Sequence, residues 1–189
     1  MNEQHLTHIS KVLSYYLRHY PDKVGLTLEP GGWVAVDDLL AGLQRTGQAV
    51  SRSELEEVVA HNTKQRFAFD ADGTHMRANQ GHSVAVDLEL EPLMPPDILY
   101  HGTSQRAVTA IIREGLRKMS RHHVHLSRDT ATARTVGSRH GSPVVFAVDA
   151  AAMYGAGHQF FCTANGVWLV DAVPAAFLRQ LSPHEQNQA

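Results

Sequence analysis

A chain of 189 residues is long enough to bury a hydrophobic core, as one large domain or two small ones. Hydrophobic residues make up 43% of it, and the formal net charge of −2 argues against a protein that coats nucleic acid without specificity. No apolar run approaches the length of about eighteen residues that a membrane span needs, and the N-terminus lacks a signal-peptide core. The single cysteine, Cys162, excludes an internal disulfide and a cysteine-based zinc site. We therefore expect a soluble, cytoplasmic protein with no membrane partner.

Positive charge is concentrated in one segment of the chain. Between His101 and His140 there are eight Lys and Arg residues, two acids and five histidines. Residues Met1 to Glu91 instead carry thirteen acids and eight Lys or Arg. A nearly neutral chain with one positive segment fits a pocket for a polyanionic small molecule or a few phosphate groups.

Three helices and a hairpin are predicted in the N-terminal half. An amphipathic helix is expected over Leu6–Tyr20, ended by Pro21. The further expected elements are a short strand over Trp33–Val36, a helix from the cap Asp37 to about Arg45, a helix over about Ser53–His61 behind a capping box of Ser51 and Glu54, and hairpin strands over Arg66–Asp70 and Thr74–Ala78. This order predicts a winged-helix lobe over residues 1–91.

Winged-helix modules bind nucleic acid or serve as platforms for protein contacts. Glu54, Glu56 and Glu57 argue against a basic recognition helix, so any RNA contact would depend on placed residues such as Lys64 and Arg66.

A proline-rich linker is predicted over residues 92–97, and beyond it a mixed α+β lobe over 98–181 with a disordered tail over 182–189. The elements expected in that lobe are a strand over Ile98–His101, a helix over Ser104–Arg113 capped by Gly115, a helix over about Asp129–Gly137, and strands over Pro143–Asp149, Gln159–Cys162 and Val167–Val170. Neither GxGxxG nor a Walker A sequence occurs, so a Rossmann or P-loop nucleotide site is not supported.

The segment Arg121–Ser127, RHHVHLS, is the strongest chemical signal. Its period-2 alternation predicts a strand with Val124 and Leu126 buried and with His123 and His125 on the other face. A helix start capped by Asp129 follows, and imidazoles beside a helix N-terminus suit a bound phosphate. Two half-exposed strand histidines beside an ordinary cap fit the pattern equally well.

Other chemistry fits the residues less well. A zinc site could be drawn from five histidines, but acidic ligands are scarce around them, so no metal is expected. The histidines concerned are His101, His122, His123, His125 and His140. A serine nucleophile lacks a GxSxG motif, and Cys162 has no marked partner. What remains is a site in which Arg and His bind phosphate groups and stabilise charge.

Seven motifs in order resemble the RNA 2′-phosphotransferases of the KptA type, and the similarity covers Ile9–Leu181. They are LSYYLRH (Leu13–His19), KQRF (Lys64–Phe67), GHS (Gly81–Ser83), LYHGT (Leu99–Thr103), GLRKMSRHHVHLS (Gly115–Ser127), VGSRHGSPVVF (Val136–Phe146) and NGVWLVDAVP (Asn165–Pro174). The resemblance implies an α+β protein with an N-terminal winged-helix lobe and a C-terminal ADP-ribosyltransferase-like lobe. It also implies NAD as co-substrate, RNA carrying a 2′-phosphate as substrate, a monomer, and a role in tRNA splicing or RNA repair.

The implied reaction has two steps. The RNA 2′-phosphate attacks C1″ of the nicotinamide ribose, which expels nicotinamide and leaves an RNA-2′-phospho-ADP-ribose intermediate. The neighbouring O2″ then attacks the phosphate, giving RNA with a 2′-OH and ADP-ribose 1″,2″-cyclic phosphate.

The resemblance also assigns site residues. The implied catalytic residues are Arg18, His19, Arg66 and Arg121, although a cationic pair at the end of a helix would also explain Arg18 and His19. The implied contacts to the RNA phosphate are Arg18, Lys64, Arg66 and Arg121. The implied NAD contacts are His101, Gly102, Thr103, His123, His125, Ser127, Gly137, Arg139 and His140.

One departure and two alternatives accompany this hypothesis. The segment Asn165–Val170 lacks the glutamate of protein-modifying ADP-ribosyltransferases, which argues against protein ADP-ribosylation. The same residues would suit an ADP-ribosyltransferase that acts on nucleic-acid 5′-phosphate ends, or a non-catalytic module that binds RNA or a nucleotide.

Overall fold

A computed structural model describes residues 2–187, with the side chains of all of these except His140 and Asn187. The chain forms two compact units, Met1–Leu90 and Glu91–Ala189, and each is described by itself. Helices and small sheets occur in both, so the fold is of the α+β class. Among the described residues, no helix has the length and apolar character that crossing a membrane requires.

In the described part of the first unit, three α-helices pack against a three-stranded antiparallel sheet. Its elements are α1 (Glu3–Arg18), β1 (Trp33–Ala35), α2 (Val36–Arg45), α3 (Arg52–Ala60), β2 (Phe67–Phe69) and β3 (His75–Ala78). The strand order is β1-β3-β2, with Val34 and Phe69 both opposite Met76. Ile9, Leu13 and Leu17 recur every four residues and bury one face of α1 in this core, which leaves the opposite face of the helix polar.

The described residues of the second unit form three small antiparallel sheets and three α-helices. Its elements are β4 (Ile98–Ser104), α4 (Val108–Glu114), β5 (Leu116–Arg117), β6 (Val124–Leu126), α5 (Thr130–Gly137), β7 (Pro143–Asp149), α6 (Ala150–Gly155), β8 (Phe160–Cys162), β9 (Trp168–Val170), β10 (Ala172–Val173) and β11 (Leu178–Gln180). The sheets have the orders β11-β7-β4, β6-β9-β8 and β10-β5. Tyr100 and Ser127 exchange both backbone hydrogen bonds, at 2.9 and 2.8 Å, which joins β4 to the end of β6.

In the first unit the local signals are confirmed, but the start and end of α1 and the start of α2 were wrong. The capping box is present: the Ser51 hydroxyl accepts from the Glu54 amide, and the Glu54 carboxylate accepts from the Ser51 amide. Helix α1 begins earlier than expected because the Asn2 side chain caps it, and it ends at Arg18 rather than Tyr20. Asp37 does not cap α2, which begins at Val36 and holds Asp37 in its first turn.

In the second unit the strand over Pro143–Asp149 and the Asp129 cap are confirmed. The strand predicted over Arg121–Ser127 was too long, because β9 offers three partners and only Val124–Leu126 pairs with it. The helix expected from Ser104 starts later, since β4 continues to Ser104 opposite Pro143. Sequence reasoning missed α6, β5, β10 and β11. The segment after 181 contains a short 3-10 helix, Glu185–Asn187, and residues 188–189 of the predicted tail lie outside the described residues.

Candidate active site

An arginine and histidine cluster lies in the second unit around β4 and β6. His101 lies on β4, and its Nδ1 is 3.1 Å from the backbone oxygen of His125. Because a carbonyl can only accept, Nδ1 carries the hydrogen and Nε2 is left as an acceptor. Burial lowers the pKa of His101, and the positive charge of Arg121 lowers it further. The ring of His101 is therefore a neutral imidazole at physiological pH.

Arg121 belongs to the bend before β6, and its side chain contacts His125, the last histidine of the motif. Nη1 of Arg121 is 2.9 Å from Nδ1 of His125. A guanidinium can only donate, so Nδ1 of His125 is the acceptor and this ring is also neutral. Protonation of His125 would remove that acceptor and leave two cations in contact. His125 thus holds the guanidinium of Arg121 in place.

Arg139 adds a second positive charge beside Arg121. Although much of the Arg121 side chain is exposed, partial desolvation of its guanidinium lowers its pKa, and the charge of Arg139 acts in the same direction. No carboxylate among the described residues forms an ion pair with Arg121 or Arg139. Two adjacent cations without a nearby acid attract an anion, and a phosphate group is the natural partner of a guanidinium.

The remaining NAD residues of the prediction occupy varied positions in the second unit. The ring of His123 packs against Phe161, with ring centroids 5.7 Å apart, and burial lowers its pKa. The backbone of Ser127 forms hydrogen bonds with the backbone of Tyr100. Thr103 lies on β4, half-buried. The backbone of His140 lies in a short 3-10 helix, but its side chain is outside the described part of the chain.

Gly102 lies on β4 and packs against α5, and Gly137 lies at the end of α5 and packs against β4. A Cβ atom on Gly102 would lie 1.6 Å from the carbonyl oxygen of Ala133 in α5. A Cβ atom on Gly137 would lie 2.6 Å from the carbonyl oxygen of Thr103 in β4. The structure thus gives both glycines a packing reason, because α5 approaches the backbone of β4 more closely than any side chain permits.

Arg18 and His19 lie at the C-terminal end of α1 in the first unit, where a turn of residues 81–83 contacts them. The amide of Ser83 donates to the carbonyl oxygen of Arg18 at 2.9 Å, and Nδ1 of His19 is 2.8 Å from Oγ of Ser83. Gly81 has a φ of +90°, which favours glycine and brings the turn against Arg18. The guanidinium of Arg18 also lies over the ring of Phe67, at 5.8 Å. Ser83 therefore orients His19, a role that the sequence did not indicate.

Arg66 and Lys64 belong to the loop between α3 and β2. Oδ1 of Asn62 accepts from Nη1 of Arg66 at 3.4 Å and from the amide of Lys64 at 3.1 Å. Asn79, at the end of the hairpin, donates from its backbone amide to the Arg66 carbonyl and from its side chain to the Gln65 carbonyl. These contacts fix the backbone that carries Arg66, and neither asparagine was singled out from the sequence.

A groove of about 720 Å³ brings three predicted residues of the first unit together. His19, Lys64 and Arg66 line it, together with the polar face of α1 and the end of α3. Of the catalytic set that the resemblance implies, Arg18, His19 and Arg66 thus belong to the first unit and Arg121 to the second. Within the described residues, no three His, Cys, Asp or Glu side chains converge as metal ligands do.

Groups of arginine and histidine with few acids are typical of proteins that bind phosphate groups. Residues 4–172 match the model of the family described as RNA 2′-phosphotransferase, Tpt1 / KptA family. A protein of Nostoc punctiforme named probable RNA 2′-phosphotransferase is 59% identical over 181 residues, covering 96% of this chain and all of the relative. Proteins of the same name from Streptomyces griseus and Pseudomonas aeruginosa are 56% and 50% identical, over 94% and 95% of this chain and 98% and 100% of theirs. The chain belongs to the RNA 2′-phosphotransferase family.

Proposed function

We propose that this protein is an NAD-dependent RNA 2′-phosphotransferase, which moves an internal 2′-phosphate from RNA to NAD and leaves a 2′-OH. Family membership over nearly the whole chain supports the reaction. The observation in the structure that carries the proposal is the cluster of Arg121 and Arg139 beside two neutral histidines, His101 and His125. It combines cations for phosphate groups with one uncharged acceptor, Nε2 of His101, for a hydroxyl group.

The cluster fits NAD on its donors and acceptors. Arg121 and Arg139 can bind pyrophosphate or 2′-phosphate oxygens, which would balance their mutual repulsion. Nε2 of His101, left as an acceptor by the contact with His125, can accept from a ribose hydroxyl. Bound NAD would supply an electrophilic ribose carbon and a leaving group in nicotinamide. The other proposed NAD contacts are Gly102, Thr103, His123, His125, Ser127, Gly137 and His140.

The residues of the first unit are proposed to act on the RNA phosphate. Arg18, Lys64 and Arg66 would bind its oxygens and stabilise the charge that develops during transfer. His19 would act as the acid or base, with Ser83 holding its ring through Nδ1. Because a phosphate is already an anion, its attack on the ribose requires no base.

We infer a winged-helix lobe over residues 1–91, a linker over 92–97 and an ADP-ribosyltransferase-like lobe over 98–181. The three-helix arrangement with the β2–β3 hairpin supports the first assignment, and the small antiparallel sheets around His101 support the second. We further propose a cytoplasmic monomer whose partners are RNA and NAD, without a metal.

The test uses a short RNA with one internal 2′-phosphate, incubated with the protein in the presence and absence of NAD. The proposal expects loss of the phosphate and release of nicotinamide only with NAD. Loss of the phosphate without NAD, or no loss with it, would contradict the proposal. An RNA of the same sequence with a 5′-phosphate and no 2′-phosphate serves as the control, since its modification would instead indicate ADP-ribosylation of ends.

A further inference from the structure

The groove of the first unit extends beyond the residues that the reaction needs. Thr7, Ser10, Lys11 and Ser14 line it along α1, at the spacing of three and four residues that places side chains on one helix face. The opposite face carries Ile9 and Leu13, which are buried in the core. The core therefore does not bury the polar face of α1, and this face forms one wall of the groove.

The facing wall comes from the end of α3 and the loop that follows it. His61, Asn62 and Thr63 line this side, next to Lys64 and Arg66. The two helices are also joined outside the groove lining, by the His5 ring and the Glu54 carboxylate of α3, which are 2.7 Å apart. The capping box fixes that carboxylate in turn, so both walls are held in position.

The chemistry of the walls fits a sugar–phosphate chain. Hydroxyl and amide groups can donate to phosphate oxygens and bond to ribose hydroxyls, and Lys11, on α1, adds a cation to those of Lys64 and Arg66. Glu3 is the one acidic residue among the described groove residues, against Lys11, Lys64 and Arg66. Backbone contacts of this kind carry no base specificity.

The groove has the length of a short oligonucleotide. Thr7 and Ser14 are seven residues apart on a helix, which corresponds to about 10 Å at a rise of 1.5 Å per residue. At the rise of about 3.4 Å per nucleotide of a stacked strand in a duplex, this distance corresponds to about three stacked nucleotides.

We propose that the groove binds the RNA strand next to the 2′-phosphate, over about three nucleotides and without base specificity, and that Lys11 is a backbone phosphate contact. This inference rests on the proposed function, which makes a phosphorylated RNA the occupant. His19, Lys64 and Arg66 at the same groove would then receive the 2′-phosphate of a strand whose flanking nucleotides lie along α1.

The test compares two RNAs, a dinucleotide and a decanucleotide, each with one internal 2′-phosphate and a fluorescent label. Anisotropy without NAD gives Kd for each RNA at several salt concentrations. Lys11→Ala should raise Kd for the decanucleotide about three- to tenfold and lower the salt slope by about 0.7, with a smaller effect on the dinucleotide. Lys11→Arg should restore binding, and Arg113→Ala, which removes an exposed charge on α4, is the matched control.

Equal effects of Lys11→Ala on both RNAs, or equal effects of Lys11→Ala and Arg113→Ala, would overturn the inference. An unchanged Kd for the decanucleotide would do the same. Because these readouts need no turnover, they are separate from the proposed function, which fails if the wild-type protein binds RNA but shows no NAD-dependent loss of phosphate.

Discussion

Gly102→Ala tests whether position 102 requires glycine because α5 packs against it or because NAD binds there. The new Cβ would lie 1.6 Å from the Ala133 carbonyl oxygen and 2.4 Å from its carbon. An ordinary carbon–oxygen contact is about 3.3 Å, so the backbone of β4 and α5 would have to separate by about 1.7 Å. The obstacle is backbone, and side-chain rotation cannot relieve it.

The expected loss of stability follows from that displacement. Overpacking costs about 1–3 kcal/mol and occasionally more, and a backbone obstacle belongs at the upper end. At 2–4 °C per kcal/mol for a chain of this size, a loss of about 3 kcal/mol lowers Tm by about 6–12 °C. Gly137→Ala meets the Thr103 carbonyl oxygen at 2.6 Å, so its effect should be smaller but in the same direction.

Thermal unfolding of the ligand-free protein is the assay, and Gly155→Ala is the matched control. Gly155 ends α6 and a Cβ there meets nothing within 4 Å, so its replacement should leave Tm unchanged or slightly higher. If Gly102→Ala leaves Tm of the ligand-free protein within about 2 °C of wild type and weakens only NAD binding, the packing argument is refuted.

Three further predictions concern other contacts. His125→Ala removes the hydrogen-bond acceptor of Arg121, so kcat should fall about 10- to 100-fold in steady-state assays. His125→Asn should retain more activity, because its amide oxygen can accept from Arg121. Equal losses of kcat in the two variants would contradict the positioning role of His125. Arg66→Ala should still release nicotinamide but accumulate ADP-ribosylated RNA on gels, and full turnover would show that the residue is misassigned. Ser51→Ala should lower the free energy of unfolding by about 1 kcal/mol at neutral pH. Hydrogen bonds from the Ser51 amide, the His5 ring and the Ser51 hydroxyl lower the pKa of Glu54 from 4.5 to about 2. Ser51→Ala keeps the amide and removes the hydroxyl, so the part of its effect that comes from the bond between that hydroxyl and the Glu54 carboxylate is complete above about pH 4.5 and is lost as pH falls towards 2; a difference that grows on acidification would contradict it.

Local patterns predicted the elements that depend on neighbouring residues. The capping box at Ser51, the cap at Asp129 and the alternation of Val124 and Leu126 are confirmed because each signal acts within one turn or one strand. The strand around Arg121 was drawn too long, because its length depends on β9, a partner more than forty residues away.

The candidate site could be predicted less completely, because it depends on contacts between residues that are far apart in the sequence. The motif resemblance suggested His19 and Arg66, but it gave no role to the residues that orient them, which are Ser83, although it lies in the GHS motif, and Asn62, which lies outside the motifs. Gly102 was predicted as an NAD contact, and the structure adds a packing reason for the glycine, because a helix fills the direction of its missing side chain. Sequence patterns identify reactive side chains more readily than the contacts that hold them.

The most direct test of the central claim follows the phosphorus atom itself. An RNA with a radiolabelled internal 2′-phosphate is incubated with the protein and NAD. The labelled small-molecule product is then separated and identified from its mass by mass spectrometry. The account predicts that all released label is found in ADP-ribose cyclic phosphate, in equal amount to the nicotinamide released. Label recovered as inorganic phosphate, or retained on the RNA after nicotinamide release is complete, would contradict it.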